Sequence, residues 1–140
     1  MAVAYENPVE LGPPLGKYSH LSRAGDLVMV AGQVGVRPDG SLAGTDLRSQ
    51  LFETFENLRR ALGAAGGGLE NVMKLSTYLV GEDPIEAFRE ARNELYARIY
   101  PSGAYPPNTL LVVQRLVRPD FLVEIDAMAW IPRDAPGRDV

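Results

Sequence analysis

Apolar residues along this chain change their period in a definite order, and each period predicts an element. Leu27-Val28-Met29-Val30-Ala31 is a short apolar run bounded by Gly25-Asp26 and Gly32, the pattern of a buried strand. Lys17 to Arg23 reads as its hairpin partner, turned at Ala24-Gly25-Asp26. Leu47, Leu51, Phe55, Leu58 and Leu62 then recur every three or four residues, one stripe of a helix with Arg48, Glu53, Glu56 and Arg59 on its wet side. Gly66-Gly67-Gly68 stops that helix, because glycine accepts the left-handed conformation of a C-terminal cap. Met73, Leu75, Thr77 and Leu79 alternate with Lys74, Ser76 and Tyr78, the period of a strand.

Asp83-Pro84-Ile85-Glu86 predicts the start of a second helix. Aspartate caps, proline suits the first helical position, and the glutamate three residues on completes a capping box. Ile85, Phe88, Leu95 and Ile99 share one face of that helix, and Pro101 ends it. Two further strands follow, at about 109–117 and 122–130, joined by a turn at Arg118-Pro119-Asp120. The first is apolar on both faces, as in a sheet covered on both sides. Turn-rich ends, 1–14 and 132–140, are expected to be loose around a core of about 17–131. The predicted order is β-β-α-β-α-β-β in a single α+β domain. Two helices cover only one face of such a sheet, so a second copy of the chain is expected on the other, in a symmetric oligomer.

Composition narrows the partners. The 140-residue chain carries a net charge of −4, which disfavours nucleic acid and anionic membranes as ligands. It also lacks the aromatic-basic stripe of a ribonucleic-acid reader. There is no cysteine, which excludes thiolate chemistry, and a single histidine leaves almost no basis for a histidine-built metal site within one protomer. No run of about 20 apolar residues exists, and Met1 to Glu10 lacks the basic start and apolar run of a signal peptide; the expected location is the cytoplasm.

Few residues offer chemistry. Gly32-Gln33-Val34-Gly35 follows a strand but is not a dinucleotide fingerprint, and no phosphate-loop motif exists. His20 reads as a half-exposed strand residue in preference to an acid or base. Glu124 and Asp126 lie two apart in the last strand, about 7 Å along one face that also carries Leu122, Met128 and Trp130. Carboxylates among apolar neighbours are costly to bury. One of them is either a water-positioning base or half of a salt bridge across an interface. Tyr105-Pro106-Pro107 is a rigid lead into the fifth strand, at whose start Asn108 presents a neutral amide.

Gly16-Lys17-Tyr18-Ser19-His20, Ala31-Gly32-Gln33-Val34, Asn93 with Tyr96, Tyr105-Pro106-Pro107-Asn108-Thr109 and Val123-Glu124-Ile125-Asp126-Ala127-Met128-Ala129 together resemble the RidA/YjgF family, also labelled endoribonuclease L-PSP. The likeness runs from about Tyr18 to Trp130, and rests on the order and spacing of its motifs. It implies a chorismate-mutase-like fold, a mixed six-stranded sheet with two helices on one face. It further implies a homotrimer with pockets between subunits, and hydrolysis of 2-imino acids to 2-keto acids and ammonia without metal or organic cofactor.

Carried over by position, Glu124 is the expected catalytic, water-placing residue. Tyr18, Ala31, Gly32, Gln33, Asn93, Asn108, Thr109 and Leu110 are the expected substrate-binding set. One position departs from the family: where an arginine grips the substrate carboxylate, this chain has Asn108. Arginine offers a permanent charge and two parallel donors; asparagine offers a shorter neutral amide. The expectation is a small reactive metabolite, an imine, enamine or related carbonyl or amide compound, with 2-imino acid deamination weak or absent. The alternative is a metabolite-binding or regulatory trimer without chemistry. Arg23, Arg37, Arg115 and Arg118 are the candidates to replace the missing charge, and the sequence leaves that open.

Overall fold

The computed structural model describes residues 2–133. Six strands form one mixed sheet: β1 (Ala4–Glu6), β2 (Leu21–Ala24), β3 (Leu27–Val34), β4 (Val72–Leu79), β5 (Asn108–Val112) and β6 (Val123–Trp130). Their order across the sheet is β1-β2-β3-β6-β4-β5. Neighbours are antiparallel except β4 and β5, which run parallel because the helix α2 (Ile85–Ile99) crosses between them. With α1 (Leu47–Ala64), α2 covers one face. The predicted α+β architecture of two helices on a six-stranded mixed sheet is therefore present.

The long periods predicted the elements that bury a face. Leu51, Phe55, Leu58 and Leu62 of α1 are buried against Val28 and Val30 of β3, Leu75 and Leu79 of β4, and Val123, Ile125, Ala127 and Ala129 of β6. α1 starts at Asp46, whose carboxylate accepts from the Ser49 backbone N–H at 2.9 Å. It ends as predicted among the glycines. Gly66 takes φ +90°, its N–H reaches the Gly63 carbonyl, and the Gly67 N–H reaches Leu62. That pair of bonds is a Schellman cap.

Several expectations are corrected. The N-terminal stretch is not loose: Ala4–Glu6 pairs with β2 as an edge strand, and Leu11 of a short 3₁₀ turn is buried in the core. The strand expected from Lys17 begins only at Leu21, because the chain before it is diverted to bring Tyr18 and His20 against the N-terminal segment. Asp83 does not cap α2. It takes a left-handed φ of +51°, whereas a capping residue needs extended dihedrals to aim its carboxylate at the helix amides, and no side-chain cap bond forms. The fifth strand stops at Val112 rather than 117 and pairs with β4 alone, at the sheet's edge, so it is not covered on both sides in one chain. A register shift between Val72 and Lys74 turns Met73 outward. His20 is buried, not half-exposed. Of the end expected to be loose, residues 134–140 lie outside the described residues; before them Ile131 is buried and donates its N–H to the Asp26 carbonyl. No helix among the described residues is long and apolar enough to cross a membrane.

The face of the sheet away from the helices is open. Met29, Met73, Leu111 and Trp130 are exposed large apolar residues of its strands. Glu124 and Asp126 lie on this face, since Val123, Ile125, Ala127 and Ala129 alternate with them into the core.

Candidate functional site

Six of the nine residues singled out from sequence fall into two groups on opposite faces of the sheet. The first gathers on the open face around β3 and β6. Pairing between these strands slips between Val30 and Gln33, so β3 carries one extra residue at Ala31-Gly32. A Cβ on Gly32 would lie 2.8 Å from Cδ of Glu124, so glycine alone lets the strand approach that carboxylate. Tyr18, Ala31, Gly32 and Asp126 line one open groove with Met29. Glu124 is half-buried beneath it.

Burial raises the Glu124 carboxyl above the ordinary glutamate range, and the neighbouring Asp126 adds to the rise. Tyr78, opposite Glu124 in the register of β4, donates its hydroxyl to Asp126 Oδ2 at 3.3 Å. The Asp126 charge, foremost, lifts the Tyr78 phenol above its usual value, so the hydroxyl stays a donor. Sequence reasoning noticed the two carboxyls but not Tyr78, whose strand places it across from them. It also missed Gln50, a fully buried amide of α1. Gln50 donates to the carbonyls of Gly44 and Asp120 and accepts from the Leu122 N–H, which fixes the chain just ahead of Glu124.

The second group lies on the helix side, at the edge formed by β5. Asn108 opens β5 with its Oδ1 accepting a hydrogen bond from the buried Thr77 hydroxyl at 2.8 Å. Asn108 and Asn93 line a cleft of about 330 Å³ with Arg92, Tyr96, Tyr105 and Pro106. Tyr96 stacks on Tyr105 at 5.5 Å between ring centres. Burial pushes the Tyr96 phenol up to about 12.

Three expected binding residues sit apart from both. The Gln33 side chain turns away from the open face; its amide bonds the Ala31 carbonyl and His20 Nδ1. His20 Nε2 in turn meets the Gly12 carbonyl at 3.0 Å, so this histidine ties down the N-terminal segment. Thr109 accepts from Lys74 Nζ on the exposed surface, and Leu110 packs on the core.

The arginines weighed as replacements are engaged with backbone carbonyls or with their own loop. Arg23 is buried, its guanidinium donating to Gly25, Ala65 and Ile131. Arg37 binds Leu42 and Ala43, Arg115 binds Leu116 and Val117, and Arg118 pairs with Asp120. The guanidinium that does line the Asn108 cleft belongs to Arg92, which sequence reasoning did not weigh.

The model of the family described as Endoribonuclease L-PSP matches residues 10–131. The chain belongs to this family. A RutC family protein of Pyrococcus horikoshii is 33% identical over 118 residues, 84% of this chain and 89% of that one. The fold is similar to that of YyfA of Yersinia pestis, described as a conserved Rid family protein of unknown function, with a TM-score of 0.82 at 22% identity over 93% of this chain and all of that one. It is also similar to Escherichia coli TdcF, solved with bound serine, with a TM-score of 0.79 at 22% identity over 91% and 98% of the two chains. The RidA/YjgF resemblance read from the motifs is thus borne out, and membership in the L-PSP family supports a role in handling small metabolites.

Proposed function

We propose that this L-PSP family member is a homotrimer whose pockets, formed between subunits, hydrolyse a small reactive metabolite without a cofactor. The substrate is an imine, enamine or related carbonyl or amide compound, and ordinary 2-imino acid deamination is weak or absent. One observation carries this reading. Glu124 faces the open side of the sheet while Asn108 faces the helix side, two strand spacings or about 10 Å across. A single chain cannot bring both to one ligand; adjoining copies stacked on the open face can. In that pocket Glu124, with Tyr18 beside it, positions water, and the Asn108 amide orients the carbonyl or amide of the ligand. Thr77 takes one lone pair of Asn108 Oδ1, and the NH2 group remains to donate to the ligand.

Charge-assisted hydrogen bonds contribute roughly 1.5–3 kcal/mol against about 1 for neutral ones. Asparagine in place of arginine at position 108 therefore lowers affinity for an α-carboxylate by about 0.5–2 kcal/mol per hydrogen bond, or about 2- to 30-fold. The test compares the parent with Asn108→Arg, following keto-acid and ammonia release from amino-acid-derived imines. Turnover gained only in the variant supports the reading; parent turnover that Asn108→Arg does not raise contradicts it. A second reading, metabolite binding without turnover, draws on TdcF having been solved with serine bound. It takes over if parent and variant are both inactive yet bind small metabolites. Ribonuclease action, which the family description carries, is disfavoured by the net charge of −4.

A further inference from the structure

The cleft between α2 and the start of β5 has a polarity that none of its residues shows alone. Asn108 Oδ1 is taken by Thr77, and Asn93 Oδ1 accepts from an Arg92 nitrogen at 3.2 Å. Neither bond uses an NH2 group, so both amides keep donors for a ligand. The Tyr96 phenol stays protonated at neutral pH, and none of the lining residues is acidic. The cleft therefore offers a ligand several donors and no anionic group.

Arg92 supplies the charge. The ion pairs of the described residues engage Arg48, Arg59, Arg60, Arg89, Arg98 and Arg118, but not Arg92. Its guanidinium lies 5.6 Å from the centre of the Phe88 ring and bonds Asn93, contacts that hold its plane without neutralising it. An unpaired guanidinium beside three neutral donors, over a stacked Tyr96–Tyr105 wall, matches a ligand made of acceptors.

We propose that Arg92 makes this cleft an anion subsite, and that the ligand carries a carboxylate against α2 together with a second acceptor that meets the Asn108 amide. This rests on the metabolite pocket proposed above and names its substrate class. An arginine at position 108 would hold the carboxylate at the β5 wall; Arg92 holds it at the α2 wall. The favoured compound is therefore longer than a simple 2-imino acid, with its anionic group separated from the reacting carbon, as in the distal carboxylate of a dicarboxylic oxo acid.

Calorimetric titration tests this without any turnover, so it stands or falls apart from the hydrolytic reading. The probes are 2-oxoglutarate, pyruvate and the neutral propionamide, given to the parent and to the Arg92→Gln, Arg92→Lys and Arg89→Gln variants. The parent is expected to prefer 2-oxoglutarate, with affinity that falls as salt rises. Arg92→Gln should weaken 2-oxoglutarate roughly 10-fold or more and leave propionamide unchanged. Arg92→Lys should recover part of the loss, and Arg89→Gln, one turn away on the same helix and paired with Glu86, should behave like the parent. The proposal is overturned if the parent fails to bind 2-oxoglutarate, if Arg92→Gln binds it as well as the parent, or if Arg89→Gln loses as much.

Discussion

Gly32 leaves no room for a side chain beside Glu124, and that closeness is testable one atom at a time. Gly32→Ala puts a methyl against Cγ and Cδ of Glu124, the far end of a flexible side chain, so the carboxyl swings aside and the backbone need not move. Thermal stability should change little while turnover, or ligand affinity, falls by about 10-fold or more, the scale of a misplaced catalytic group. Unchanged activity with Ala at position 32 argues against Glu124 as the water-placing residue. Glu124 itself predicts a pH signature. Its folded carboxyl titrates above the ordinary value of 4.5, so the folded state binds the proton more tightly than the unfolded chain. Stability then decreases as pH rises from about 4.5 through the folded pKa. Glu124→Gln should remove that slope and raise the melting temperature at neutral pH, while abolishing turnover. Melting curves of both proteins between pH 4 and 8 give the comparison.

Among the elements, those that bury a face were legible and those held by backbone bonds alone were not. The stripe Leu47 to Leu62 and the alternation Leu75, Thr77, Leu79 follow from one-sided burial, which only an apolar period satisfies. Ala4–Glu6 has no such period, because all three residues are exposed and the edge strand is held by its ladder with β2. Asp83-Pro84-Ile85-Glu86 has the letters of a capping box, but the turn that precedes α2 forces Asp83 left-handed, a feature set by tertiary geometry. Arg23 was legible as a strand cation and a candidate pocket charge, but not as a buried brace. Its buried guanidinium joins the β2–β3 hairpin to the ends of α1 and β6, through Gly25, Ala65 and Ile131. Arg23→Ala leaves these carbonyls without a donor and should cost about 2–4 kcal/mol, given roughly 1–3 kcal/mol for each buried group left unsatisfied. Urea unfolding measures it; a loss under about 1 kcal/mol would mean that water replaces the guanidinium.

At the scale of the whole molecule, the sequence carried the family but not how the candidate site residues are grouped. Tyr18, Ala31, Gly32 and Glu124 belong to the open face, Asn93 and Asn108 to the helix side, and strand order alone decides this. Arg92 stayed hidden because a cation on an exposed-looking helix position reads as solvated; only the fold sets it across a cleft from Asn108. The separation of the two groups is what the proposed shared pocket answers, and the exposed Met29, Leu111 and Trp130 are apolar surface that such sharing would cover. The most direct measurement is the native mass of the chain in solution, by sedimentation equilibrium at micromolar concentration. Three copies of the 15.3 kDa chain in one particle are the predicted result, and a particle of one chain would contradict a site completed between subunits.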